Sequence, residues 1–363
     1  MATVTKSIQQ GGGGDYTTIA SWESATNLNS GADIWKGEID DANDYDETIS
    51  LAGNHGTGTS SHVWLTTGST QRHDGLANNG NGRIAFNGTA AFAIRQQEDW
   101  AMVSHLEIHR PAGSAGNNDN GIRFATAGSN DMLVSHCIIW TLDAAGMNGL
   151  QVNSGSITNL RIDHTVIYGF QRNGINLDVA VTADVDHCFV TGTADSSTEG
   201  NLYSDSAATF NVYNTVIAST DGASGNEVYM SNASSVLNGS HNVRTGSAEI
   251  SVSGTDNATN WQDASDGTTD SAPGTAGVYV TDYTGLSTFN LLPIDHANNV
   301  ASENGTNRQG SEPDARQDFS VDIAGNARPT SGVDIGAWQF TSSGGSAAAL
   351  HYHRQMTARI NSQ

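Results

Sequence analysis

The segment "VSHCIIW" at 134–140 returns, altered but alignable, along the middle of the chain. The copies are "VSHLEIH" at 103–109, "IDHTVIY" at 162–168, "VDHCFVT" at 185–191 and "VYNTVIA" at 212–218. A weaker copy, "SHNVR", begins at Ser240. The third position of each copy is His105, His136, His164, His187, Asn214 and His241, at successive spacings of 31, 28, 23, 27 and 27 residues. A second phrase repeats as "NGIRF" at 120, "NGLQV" at 148 and "NGINL" at 173, then more loosely as "GNLY" at 200 and "GNEVY" at 225. A period of this size marks stacked structural units, none of which can bury its apolar face alone.

Each unit holds short β-like runs separated by Gly, Asn, Asp and Ser, with no apolar pattern long enough for a helix between them. That argues against a βαβ arrangement, and the loose consensus argues against a leucine-rich repeat. The pattern predicts an all-β fold, a parallel β-helix (β-solenoid) of single short strands. The chain length divided by the coil length gives about ten coils.

The repeat also carries geometry. Val103, Val134, Ile162, Val185 and Val212 form one β-branched column, and Ile108, Ile139, Ile167, Val190 and Ile217 form another five residues on. Two columns of opposite parity cannot both face inward along one straight strand. The chain must therefore bend between them, at the Ser/Asp–His dipeptide. His105, His136, His164, His187, Asn214 and His241 are expected to stack at this corner as a structural ladder, at the ~4.8 Å spacing of adjacent strands. The alternative is a metal or catalytic role. Cys137 and Cys188 share the next column but are two coils apart, about 9–10 Å, beyond disulfide reach, and are read as small buried fillers.

The chain has 38 acidic and 15 basic residues among 363, a formal charge of −23. Such a surface argues against nucleic acid or an anionic membrane as partner. No apolar run is long enough to span a bilayer, and the first residues lack the apolar core of a signal peptide. The expected setting is a virus particle assembled in a host cytoplasm, with an extracellular location as the alternative.

The first 70 residues are read as an N-terminal cap and first strands. "GGGGDYTTIASWESAT" predicts a turn and a short amphipathic helix with Ile19, Trp22 and Ala25 on one face, and "IWKGEID" and "ETISLAG" predict strands. Asp40, Asp41, Asp44 and Asp46 form an acidic cluster. It is read chiefly as a solvated turn and secondarily as a cation site, with calcium the ion it would recruit. No other cofactor is expected.

Residues 71–340 are read as the β-helix. They end in "DIAGNARPTSGVDIGAWQF" at 322–340. This stretch resembles the closing segment of right-handed parallel β-helix, pectin-lyase-like proteins of bacteria and phages. There an Asp-Ile-Gly-Ala-aromatic motif comes after Asp-x-x-Gly-x-x-Arg. The opening "GGDYTTI" resembles the N-terminal cap of the same group, which includes the pectin methylesterases. The resemblance implies the fold and the place to look for a site, the outer face and loops of the middle coils. Function does not follow from fold alone.

Enzymes of that kind act on acidic polysaccharides, with aspartate-bound calcium and a basic residue, or with paired carboxylates. Asp163 and Asp186, with Arg161, are the weak catalytic candidates here, and solvated turn aspartates are the plainer reading. "AIRQQEDW" at 93–100 supplies Arg95, Gln96, Gln97, Glu98 and Asp99, without the motifs of those enzymes around it. Trp140, Tyr168 and Phe170 are the best candidates for a sugar-stacking surface.

Residues 341–363 are read as a Gly/Ser joint and a basic helical tail. Leu350, His353, Arg354, Met356, Arg359 and Ile360 are its candidate partner-binding residues, unless the tail packs back on its own body. The expected function is a non-enzymatic structural protein of a phage particle, a capsid decoration protein or a fibre or adhesin, able to form a trimer. Its partners would be other virion proteins, such as the major capsid protein or a tail component, or a host-surface glycan. The alternatives are a polysaccharide lyase or tailspike-type depolymerase, and a secreted carbohydrate-binding or adhesion module.

Overall fold

The computed structural model describes residues 3–25, 33–52, 56–73, 75, 82–86, 91–110, 120–125, 131–141, 147–154, 157–192, 198–219, 226–245, 250–263 and most of 305–339. The tail residues Leu350, His353, Arg354, Met356, Arg359 and Ile360 lie outside these.

Every strand pairing between successive coils is parallel, and the protein is a parallel β-helix. One coil shows the plan. Asn159–Asp163 leads into a corner at His164, Val166–Phe170 comes next, and Asn173–Leu177 completes the turn. Equivalent strands stack into three rows. The first two belong to one 17-stranded sheet and the third is a separate sheet of 8 strands. The interior is one continuous core, in which Ile162, Ile167, Val185 and Val190 are all buried. Both apolar columns of the repeat thus point inward, on either side of the corner.

The bend has a specific backbone cause. His105, His136, His164, His187, Asn214 and His241 all adopt φ between +44° and +57°. This is the left-handed region, where His and Asn are commoner than most residues. One such residue turns the chain and inverts the parity of the next strand. Hydrogen bonding continues through the corner, with His136 N–H donating to Asp163 C=O and His164 N–H donating to Asp186 C=O.

The "NG" phrase has its own explanation. Asn148 Nδ2 donates to Asn120 Oδ1 at 3.1 Å, and Asn173 Nδ2 donates to Asn148 Oδ1 at 2.9 Å, a buried amide ladder. The glycine beside each Asn packs directly against the next wall. A Cβ on Gly149 would lie 2.3 Å from Ile167 Cγ2, and one on Gly174 would lie 2.3 Å from Val190 Cγ1.

Among the described residues the complete three-strand coils number about seven, not ten. They begin at Ile34–Ile39, Val63–Thr67, Met102–Ser104, Met132–Ser135, Asn159–Asp163, Thr182–Asp186 and Thr209–Tyr213. Dividing length by period treats all of the chain as coil, whereas residues 305–339 lie along the side of the stack. The stack also starts earlier than the first strands read from sequence, because Thr3–Ile8 pairs with Ile34–Ile39. The helix forms at Ile19–Ala25 and buries Ile19 and Trp22, while Ala25 is exposed. Glu47 accepts hydrogen bonds from the Ile19 and Ala20 N–H groups at its N-terminus, satisfying donors that a helix start leaves open. No helix among the described residues is long and apolar enough to cross a membrane.

Candidate functional site

The histidine rings stack face to face. Centroid separations are 4.9 Å for His105–His136, 4.6 Å for His136–His164 and 5.0 Å for His164–His187, with interplanar angles of 13°, 18° and 5°. Asn214 continues the column by donating Nδ2 to His187 Nε2 at 3.2 Å. Each ring's Nδ1 meets the side chain just before it in sequence: Ser135 Oγ at 2.8 Å for His136, Asp163 Oδ1 at 3.2 Å for His164, and Ser240 Oγ at 3.0 Å for His241. His187 Nδ1 lies 2.8 Å from Asp186 Oδ1. The Ser/Asp–His dipeptide is thus a self-contained unit that orients its own imidazole.

The corner is covered. Thr306, Arg308, Gln317 and Arg316 meet successively lower coils, and Gly336 returns to Asn214. Asn214 exchanges hydrogen bonds with the Thr306 backbone at 2.8 and 2.9 Å. The Arg308 guanidinium pairs with Asp186 and lies 4.0 Å from the Tyr213 ring centroid. Phe319 tilts onto the His164 and His187 rings at 5.8 and 5.4 Å. Gln317 donates to Asp163 Oδ2 at 2.8 Å. Arg316 donates to the carbonyls of Trp100 and Asp131 at 3.1 and 2.9 Å.

The segment is held in shape by its own sequence motif. Asp322 accepts from the N–H groups of Ala324, Asn326 and Gln339. Gly325 takes φ +83°. Arg328 donates to Gly336 C=O at 2.7 Å, and Gly336 N–H donates to Asn214 C=O at 2.6 Å. The Asp-x-x-Gly-x-x-Arg and Gly-Ala stretches therefore lock a strap onto the ladder.

Burial dominates the electrostatics beneath this strap. It holds the His136 imidazole down to about 3, and His164 and His187 well below the usual range, so all three are neutral. It pushes Asp163 up to about 6, opposed by hydrogen bonds from Ser135 and Gln317. Asp186 is raised to about 7 by burial, with Arg308 pulling the other way.

Asp163 and Asp186 are register partners on adjacent strands, so the structure does bring the two carboxylates together. Both are buried and engaged within the chain. Arg161 is not part of that pair's surroundings: its Nη1 donates to Asp131 Oδ1 at 2.5 Å and its Nε is 3.9 Å from Asp184. Trp140, Tyr168 and Phe170 are buried, which corrects the expectation of a sugar-stacking surface there. Trp140 is stacked between His109 and Tyr168 and donates Nε1 to Glu107 at 2.9 Å.

Among the described residues, the N and O atoms of His136, Asp163 and His164 all lie within 4.8 Å of one another. This donor set is of the type that suits zinc, not calcium, which takes oxygen ligands. The geometry does not fit zinc either. A zinc ion sits about 2.0–2.1 Å from an imidazole nitrogen, near the ring plane along the nitrogen lone pair. Two rings stacked 4.6 Å apart aim those lone pairs side by side instead of at one point. Both Nδ1 atoms also already have partners.

Three of the four carboxylates in the acidic cluster near the N-terminus, Asp41, Asp44 and Asp46, have partners within the chain. Asp41 accepts from Gln10 N–H at 2.5 Å and from Tyr45 Oη at 2.8 Å. Asp44 pairs with Arg83 at 2.6 Å, and Asp46 also has a partner. Cys137 and Cys188 are free and buried, and burial pushes the Cys137 thiol up to about 12.

No protein-family model matches the chain, and no curated protein matches its sequence. Among solved structures it is similar to the crystal structure of pectate lyase Pel9A, with 12% sequence identity and a TM-score of 0.45, over 94% of this chain and 97% of that one.

Proposed function

We propose that this protein is a non-enzymatic structural element, a rigid rod that serves in a virus particle as a decoration protein or fibre. The observation that carries the non-enzymatic reading is the burial of Asp163 and Asp186 under residues 305–339. A polysaccharide-cleaving pair must reach its substrate, and these carboxylates meet Ser135, Gln317, Arg308 and histidine instead. The particle assignment draws on the acidic body and the basic residues Arg354 and Arg359 near the chain end, a charge contrast suited to docking on a partner.

Two experiments test this. The protein is incubated with acidic polysaccharides, with and without calcium, while unsaturated products and reducing ends are followed. No turnover is expected. Turnover abolished by Asp163→Ala or Asp186→Ala would establish the depolymerase alternative. Separately, a chain lacking residues 342–363 is expected to lose association with virus particles, and undiminished association rejects the anchoring role of the tail.

A further inference from the structure

The outer face of the 8-stranded sheet carries a column unlike the rest of the acidic surface. Ile94, Ile122, Leu150, Ile175, Leu202 and Val228 point into the core. The residue after each therefore faces outward: Arg95, Arg123, Gln151, Asn176, Tyr203 and Tyr229, in register from coil to coil. Arg95 and Arg123 are direct partners on adjacent strands, whose backbones lie about 4.8 Å apart.

Among the described residues, the two arginines lack a counter-ion. Arg83, Arg161, Arg172 and Arg308 each meet an Asp or Glu within 4.0 Å. Neither Arg95 nor Arg123 does, and the Nε of each is sealed from water without a hydrogen-bond partner. Arg95 lies 6.0 Å from the Phe92 ring centroid. Asp178 acts on Arg123 only at a distance, its carboxylate being taken by Gln151 Nε2 at 2.7 Å. Two like charges side by side repel. In a chain with 38 acidic residues against 15 basic ones, carboxylates to separate or neutralise them are plentiful.

We propose that Arg95 and Arg123 form a clamp for a tetrahedral oxyanion, a sulfate or phosphate ester group on a ligand outside the protein. A guanidinium offers parallel N–H donors as a planar fork. A planar carboxylate is satisfied by one fork. A tetrahedral group has oxygens in different planes and presents one edge to each of two stacked forks. The far end of the column carries partly exposed aromatic rings. Tyr203 and Tyr229 stack at 5.8 Å and 15°, with Tyr203 three strand steps from Arg123, about 14 Å away. Gln151 and Asn176, between them in the register, are buried.

The test reads binding, not turnover, so it stands apart from the tests of the structural role. The full chain is titrated calorimetrically with sodium sulfate, sodium phosphate and sodium acetate at matched ionic strength. Saturable binding of sulfate or phosphate is expected, with none for acetate. Arg95→Gln and Arg123→Gln should each weaken it at least about tenfold. Arg95→Lys, which keeps the charge but not the fork, should weaken it as well, while the circular dichroism and thermal melt of each variant match the parent and exclude misfolding. Dextran sulfate and phosphorylated dextran then identify the ester. Lack of saturation, equal binding of acetate, or full binding by the Arg95→Lys protein would each overturn the clamp.

Discussion

Gln317 donates its side-chain amide to the buried carboxylate of Asp163 at 2.8 Å, across a sequence separation of 154. Together with the Arg308–Asp186 pair, this bond fixes the strap to the coils and withdraws both carboxylates from solvent.

Gln317→Leu should therefore destabilise the protein while leaving the coils intact. It strips a donor from a buried acid, a loss of about 1–3 kcal/mol. Urea denaturation measures it, and the circular dichroism of the folded state should stay unchanged. A neutral result would mean that the strap does not depend on this contact.

His164→Asn is expected to be tolerated far better than His164→Ala. Asn214 already fills the same slot at φ +47°, and Asn accepts the left-handed conformation that Ala resists. Ala also removes the ring stacked between His136 and His187. The Ala variant should lose about 2–4 kcal/mol, and thermal melts of the two proteins provide the comparison.

Gly149→Ala should destabilise by about 1–3 kcal/mol, since its methyl would press on Ile167 and on the Gly174 carbonyl in a closed interior. Gly11→Ala meets open space and should shift stability by less than about 0.5 kcal/mol.

Acid should unfold the protein through its histidines. Their folded pKa values lie below the ordinary 6.5, at about 4 for His109 and about 3 for His136, because burial disfavours the charged ring. The unfolded chain takes up those protons first, so stability falls as pH drops from about 6.5. Asp163 and Asp186, raised from 3.8 to about 6 and 7, take up protons first in the folded state and oppose the trend between about pH 7 and 4. His105, His136, His164 and His187 together with His109 outnumber them. Replacing His164 and His187 by Asn should flatten the loss by up to about 1.4 kcal/mol per pH unit for each proton removed from the balance. An unchanged slope in denaturation curves from pH 7 to 4 would refute this.

Much of this architecture is legible in the sequence because a solenoid writes the same contacts repeatedly. The two inward columns and the bend between them follow from parity alone. The left-handed His at each corner is the backbone solution to that constraint. The strap was not readable. Its contacts join Arg308 to Asp186 and Gln317 to Asp163 once each, and a single long-range contact leaves no period. Trp140, Tyr168 and Phe170 read as surface aromatics although all three are buried, Trp140 between His109 and Tyr168 of the neighbouring coils and Phe170 in the core. The arginine pair was hidden differently. Arg95 sits in "AIRQQ" and Arg123 in "NGIRF", and only the register of the third row of strands sets them side by side.

The Ser/Asp–His corner supplies its own acceptor for Nδ1, and its ring needs from neighbouring coils only a flat face above and below. A corner of this kind is modular. Duplicating or deleting one whole repeat beyond the coils that the strap contacts would lengthen or shorten the stack by about 4.8 Å without altering any single rung. A lineage built on such rungs can adjust the reach of the molecule by recombination instead of by redesigning its core.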